Sequence, residues 1–96
     1  MSTNAATVRH DEARHRFVIE VDGQPAGFIQ YRMRGDAFDI LHTEIQPEFE
    51  GRGLAAQLAR FALDHARSSG HKVIPSCAYV AAYIERHPQD QDVVAG

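Results

Sequence analysis

The apolar positions change period part-way along the chain. Between residues 17 and 45 they fall in short runs separated by turn pairs. Phe17-Val18-Ile19-Glu20-Val21 is β-branched and aromatic, and Asp22-Gly23 follows it as a hairpin turn. Residues 28–34 alternate, with Ile29, Tyr31 and Met33 on one face and Gln30, Arg32 and Arg34 on the other. Gly35-Asp36 supplies the next turn. Residues 38–45 then read as a third strand, with Leu41, Thr43 and Ile45 opposite Ile40, His42 and Glu44. These strands predict an antiparallel meander, with residues 7–10 as a short edge strand before it and a frayed start over residues 1–6.

After Pro47 the spacing becomes helical. Apolar residues occupy 54, 55, 58, 59, 61, 62, 63 and 66, leaving a narrow polar stripe at 57, 60, 64, 67 and 68. That pattern predicts a helix over 54–66 packed broadly on a sheet, ended by Ser69-Gly70. Lys72-Val73-Ile74 reads as a short strand broken by Pro75. Residues 78–86 read as a second helix, stopped at His87-Pro88. The order β-β-β-β-α-β-α places the chain in the α+β class, with a mixed, mostly antiparallel sheet. A strand–helix–strand crossover makes the third meander strand and residues 72–74 parallel neighbours. Binding sites in such sheets lie beyond the carboxyl ends of the parallel pair, here residues 45–53.

Length and charge narrow the function classes. Ninety-six residues form one small domain with a modest core, read here as a monomer or weak dimer. No run approaches the roughly 18 apolar residues of a membrane span, and the first residues lack a signal-peptide pattern. One cysteine, Cys77, forms no disulfide framework and no Cys/Cys metal spacing, so a reduced thiol in the cytoplasm is expected. The net charge of −3 argues against nucleic acid. Its distribution is uneven: residues 36–50 hold five acids and no Lys or Arg, whereas residues 51–72 carry Arg52, Arg60, Arg67 and Lys72 against Asp64 alone. The acidic run reads as a solvated surface, or as an attractor for a cationic amine. The basic segment can receive a phosphate.

Glu50-Gly51-Arg52-Gly53-Leu54-Ala55 is the most informative stretch. Two glycines opening a helix straight after a strand let a ligand approach the backbone, and leave amide groups pointing outward. With the positive end of the helix dipole, those donors form an anion site. The segment is neither a P-loop nor a dinucleotide fingerprint. A glycine-assisted helix start without a ligand is the plain alternative.

Gln46-Pro47-Glu48-Phe49-Glu50-Gly51-Arg52-Gly53-Leu54-Ala55 resembles the acetyl-CoA motif of the GNAT acyltransferase superfamily, written Gln/Arg-x-x-Gly-x-Gly/Ala. Glu50 departs from the pattern; Gly53 and Ala55 match it. Ile74-Pro75-Ser76-Cys77-Ala78-Tyr79-Val80, the segment Tyr83 to Pro88, and Leu41-His42-Thr43 are similar to compact single-domain GNAT-like proteins of about a hundred residues. The likeness spans about residues 7 to 94. It implies a GNAT-like fold whose parallel strands splay apart, with a pantetheine arm between them. It further implies acetyl-CoA or CoA as substrate and a primary amine of unknown identity as acceptor.

The resemblance also distributes roles. Backbone groups at Ile45 and Gln46 would bond pantetheine or polarise the thioester carbonyl. Gly51, Arg52, Gly53, Leu54 and Ala55 would hold the pyrophosphate. Tyr79 and Tyr83 would flank the thiol, or else pack as rim residues. Cys77, at a helix start, is either a small buried hydrophobe or a thiolate near the acyl group. His42, from its place at the end of the adjoining strand, reads as a general base for either route, or else as a strand histidine facing solvent or a satisfied partner. His10, His15, His65, His71 and His87 show no i,i+4 pairing with a second ligand, so no metal site is expected. The leading reading is a small N-acetyltransferase. A CoA-binding module without turnover and a protein-interaction domain are its rivals.

Overall fold

A computed structural model of the chain describes residues 6–95. The expected frayed start therefore lies, for residues 1–5, outside the described residues. Ala6 does not fray: it opens β1 (Ala6–Asp11) and pairs with Val21. The chain continues through β2 (Arg16–Val21), β3 (Gln24–Arg34), β4 (Ala37–Ile45), α1 (Leu54–Ser68), β5 (Lys72–Pro75) and α2 (Ala78–Arg86). The strands form one sheet in the order β1-β2-β3-β4-β5. Neighbours are antiparallel up to β4, and β4–β5 is the parallel pair that the crossover predicts. β5 also runs one residue further than expected, because Pro75 pairs with Ile40 at the ladder's end, where no further amide is needed.

Turn and cap chemistry set these boundaries. Asp22 and Gly23 both take positive φ, 51° and 83°, the conformation that a two-residue hairpin demands. At the end of α1, Gly70 sits at φ 77°; the His71 amide donates to the Ala66 carbonyl at 2.9 Å and the Gly70 amide to the Arg67 carbonyl at 3.3 Å. Those two bonds cap the helix and turn the chain into β5.

α1 lies across all five strands on one sheet face. Leu58, Leu63 and Ala66 are fully buried there against Phe17, Ile29, Tyr31 and Ile40. A buried leucine such as Leu58 contributes about 2 kcal/mol. The opposite sheet face carries Arg9, Arg16, Glu20, Gln30, Arg32, His42 and Glu44, by strand parity and register.

A bulge in β4 overturns the simple alternation read for that strand. Tyr31 pairs with Ile40 and Gln30 with His42, so Leu41 is an extra residue on β4. Before it, Phe38 and Ile40 face α1; beyond it, Thr43 and Ile45 do. Leu41 is 40% exposed. A second bulge, at Ala26 of β3, pairs Ile19 with Gly27 and Glu20 with Pro25.

The polar stripe of α1 does not face water throughout. A 3-10 segment, Pro88–Val93, folds back on the helix and brings the wholly buried Asp90 to it. Arg60 chelates Asp90 with two guanidinium nitrogens, and Arg67 Nη2 reaches the same carboxylate at 2.9 Å. Arg67 also binds Asp92 at 2.8 Å, and Lys72 Nζ donates to the Asp92 carbonyl at 2.8 Å. Arg60, Arg67 and Lys72 are thus committed to the chain's own carboxyl-rich end, which corrects their reading as phosphate receivers. Ala95 then donates its amide to Val73, and Val94 bridges the same residue.

Four histidines that look unrelated in sequence converge at the carboxyl end of α1. His10, His15, His65 and His71 line a cleft of about 360 Å3 with Tyr31 and Phe38. His10 Nε2 lies 2.6 Å from the Tyr31 hydroxyl, and its ring centroid is 4.7 Å from that of His65. Among the described residues no three His, Cys, Asp or Glu groups are placed to hold a metal ion.

Asp90 is buried and His10 partly so, and each ties stability to pH. Burial raises the Asp90 pKa, but hydrogen bonds from Arg60 and Arg67 outweigh it and hold the group below its ordinary value. The unfolded chain then binds the proton more readily, so Asp90 favours the fold above about pH 4, and that contribution is lost as pH falls through its folded value. Asp90→Asn lowers urea-unfolding stability at pH 7 by about 2 kcal/mol and flattens the acid limb. For His10, burial and then the nearby His65 lower the pKa. The fold is favoured above about pH 6.5, and that share of stability fades as pH falls through the folded value. His10→Gln narrows the stability difference between about pH 7.5 and 5.5, read by the same titration.

Candidate functional site

The parallel ladder of β4 and β5 runs from Ala37↔Lys72 to Ile40↔Pro75 and stops there. β5 ends here, while β4 runs on to Ile45 with no strand on this side. The Cys77 amide donates to the Ile40 carbonyl at 2.8 Å, closing the vertex of the gap. On the far flank, β4 is held close to β3: a Cβ on Gly27 would stand 2.5 Å from both the Glu44 carbonyl oxygen and Ile45 Cδ1. The Gln46 amide, where the chain leaves β4, donates to the carbonyl of the bulged Ala26 at 2.8 Å.

Opposite the open end of β4 stands the start of α1. Gly53 is its N-cap residue at φ 75°, and Gly51 sits at φ 83°. Residues with a Cβ rarely adopt these angles. No side chain caps the helix, and no acid lies in its first turn. The first helical bond runs from the Gln57 amide to the Gly53 carbonyl at 3.2 Å, so the earlier amides have no partner within the helix. A Cβ at Gly51 or Gly53 would meet nothing within 4 Å. The backbone here is bare and approachable.

Between these elements lies a cleft of about 290 Å3. Of the residues expected in a donor site, Ile45, Gly51, Gly53, Leu54, Ala55 and Tyr79 line it. Gln46 does not. Nor does Arg52, whose guanidinium lies 5.2 Å from the centre of the Phe49 ring. Tyr83 borders a neighbouring depression that shares Ala56 and Tyr79 with the cleft. Its hydroxyl accepts from Arg60 Nε at 3.1 Å and its ring stacks on His87 at 4.0 Å. Glu50, the departure from the motif, is exposed on the cleft's rim.

The two residues expected to do chemistry lie apart. Cys77 is the half-buried N-cap residue of α2, with Sγ 3.5 Å from Thr43 Oγ1, and Thr43 lines the cleft. His42 is exposed on the opposite sheet face, with Nε2 3.2 Å from Glu44 Oε1. The bulge is the cause: it turns Thr43, not His42, toward α1. Burial, then the neighbouring Tyr83, pushes the Tyr79 hydroxyl above its usual pKa, so it holds its proton at neutral pH. Thr43, Phe49 and Ala56 complete the lining and escaped the sequence reading. Only the bulge reveals Thr43, and alternation alone hides it.

A sheet whose one parallel pair stops short of the end of β4, with a glycine-opened helix facing the gap, narrows the comparison. Residues 16–93 match the family described as GCN5-related N-acetyl-transferase. The chain belongs to that family. A GCN5-like protein from Staphylococcus aureus, solved in solution, superposes on this GNAT chain with a TM-score of 0.71 at 27% identity, over 94% of this chain and 88% of its own. Protein NATD1 from Homo sapiens is 31% identical over 86 residues, which is 88% of this chain and 76% of that protein. N-acetylglutamate synthase from Neisseria gonorrhoeae, solved with coenzyme A and N-acetyl-glutamate, shares the fold with a TM-score of 0.57 at 21% identity, over 75% of this chain and 18% of its own. The compact GNAT-like fold expected from the sequence is the fold observed. No helix among the described residues is long and apolar enough to cross a membrane.

The tight seam at Gly27 yields a prediction for this GNAT fold. Gly27→Ala forces the end of β4 outward, costing about 1–3 kcal/mol in urea unfolding. Leu41→Ala, at an exposed bulge position, changes stability by less than about 0.5 kcal/mol in the same assay.

Proposed function

We propose that the chain binds acetyl-CoA in this cleft and transfers the acetyl group to a primary amine, acting as one unit over about residues 7 to 94. The observation that carries the reading is the uncapped start of α1 at residues 51–55, aimed at the gap where β4 has lost its strand neighbour. Its amides and half-dipole suit a pyrophosphate. The open edge of β4 at residues 41–45 suits an extended arm that pairs with backbone. When bound, acetyl-CoA supplies an activated acyl group. Backbone donors near Ile45 polarise its carbonyl. Tyr79, protonated at neutral pH, stands where the departing sulfur can take up a proton.

The acceptor enters from the sheet face away from α1, where His42 and Glu44 sit. His42 takes the proton of the attacking amine as the new N–C bond forms and the C–S bond breaks. Direct attack and a relay through Cys77 use the same donor site. Intact-mass analysis after incubation with acetyl-CoA separates them: an added acetyl group, missing in Cys77→Ser, assigns the relay. Its absence assigns direct attack.

A second reading is a CoA-binding module without turnover. One observation favours it: the ionisable residues lining the cleft are Glu50 and Tyr79, and His42 is not among them. Thermal unfolding with acetyl-CoA tests both readings, since a ligand at a hundred times its Kd adds about 2.7 kcal/mol. Gly53→Val strains the left-handed position and crowds the phosphate approach. It weakens binding at least about tenfold, roughly 1.4 kcal/mol. A folded variant with unchanged affinity would place the phosphates elsewhere. Turnover against a panel of amines then distinguishes enzyme from module.

A further inference from the structure

We propose that Asp39 is a positioning residue for the cleft: from the opposite face of the sheet it fastens Ser76, and so fixes Cys77 and the first turn of α2 at the vertex where β4 and β5 part. This rests on the reading of the cleft as the site of the thioester.

Asp39 belongs to the acidic run that the sequence presents as a solvated surface, yet it is 1% exposed. Arg32 Nε donates to Oδ2 at 3.2 Å, and Arg34 Nη1 lies 3.8 Å from the same oxygen. The other oxygen, Oδ1, accepts the Ser76 hydroxyl at 2.5 Å. A buried carboxylate needs its lone pairs satisfied, so this bond is held as firmly as the ion pairs beside it. The next residue of β4, Ile40, accepts the Cys77 amide at 2.8 Å. Two consecutive β4 residues thus grip two consecutive residues of the corner, one by side chain and one by backbone. The Ser76 amide closes the corner further by donating to the Ile74 carbonyl at 3.0 Å.

What the corner carries makes the grip functional. Cys77 begins α2 and touches Thr43; Tyr79, two residues on, lines the cleft. The phosphate-facing turn at residues 51–55 belongs to a different element and does not touch the corner's hydrogen bonds. Loosening Ser76 therefore disturbs the thioester end of the cleft and spares the phosphate end.

The test uses Ser76→Ala, which leaves Asp39 paired with Arg32 and Arg34, and Ser76→Thr, which keeps the hydroxyl. Calorimetry measures binding of acetyl-CoA and of adenosine 3′,5′-bisphosphate, and iodoacetamide measures Cys77 alkylation in the unliganded protein. Ser76→Ala should weaken acetyl-CoA about tenfold, leave the bisphosphate unchanged and speed alkylation about threefold, with Ser76→Thr restoring both. Equal weakening of both ligands, or wild-type behaviour in both assays, overturns the proposal. If the wild-type protein binds neither ligand, the reading of the cleft fails on its own. Alkylation then decides alone: faster in Ser76→Ala supports the grip of Asp39, and unchanged refutes it.

Discussion

At Leu41 the β4 strand takes one residue more than its β3 partner, while one residue earlier its parallel partner has ended in Pro75. The bulge rotates the rest of β4, so Thr43 and Ile45 turn to the helix side and His42 and Glu44 to the open side. β4 cannot follow β5 past this point, and its backbone faces a gap. α1 cannot fill the gap either, because it starts at Leu54, just past its Gly53 cap, at the gap's far rim. The cleft is the space that these two stops leave. Thr43, Tyr79 and the first amides of α1 share it for that reason alone.

Charge is arranged around that opening by elimination. Arg60, Arg67 and Lys72 follow the glycine turn in sequence, but the folded-back carboxyl end engages all three. In the proposed donor site, anion affinity then rests on the backbone and the helix dipole rather than on these three side chains. Asp39, in the middle of an acidic stretch, is neutralised by Arg32 and Arg34 and turned into a structural anchor. Neither outcome follows from counting charges along the chain. Both need the topology that sets residue 90 against residue 60, and residue 76 against residue 39.

Most of the architecture is nonetheless legible in the sequence. The Asp22-Gly23 turn, the helical spacing from Leu54, the Gly70 cap and the span of α2 all follow from local chemistry. The parallel pairing of β4 with β5 follows from the handedness of the crossover. Residues 51–55 announce the helix start that faces the cleft. What is hidden depends on register. A bulge inserts one residue and inverts every later assignment of face, which is why alternation groups Thr43 with Leu41 and why His42 lies outside the cleft. The 3-10 return of residues 88–93 has too few apolar positions to show a period. The four-histidine cleft joins His10 and His15 to His65 and His71, fifty or more positions away, with no motif linking them.

The most direct measurement is a titration of 15N-labelled protein with acetyl-CoA, followed amide by amide. If the cleft between β4 and α1 receives the ligand, the amides of residues 41–45 and 51–56 shift together and saturate at one affinity. The amides around His10, His65 and His71, at the other end of α1, stay in place. Shifts confined to that histidine cleft, or none at millimolar acetyl-CoA, would contradict the assignment of the opened β4 edge as the acyl-donor site.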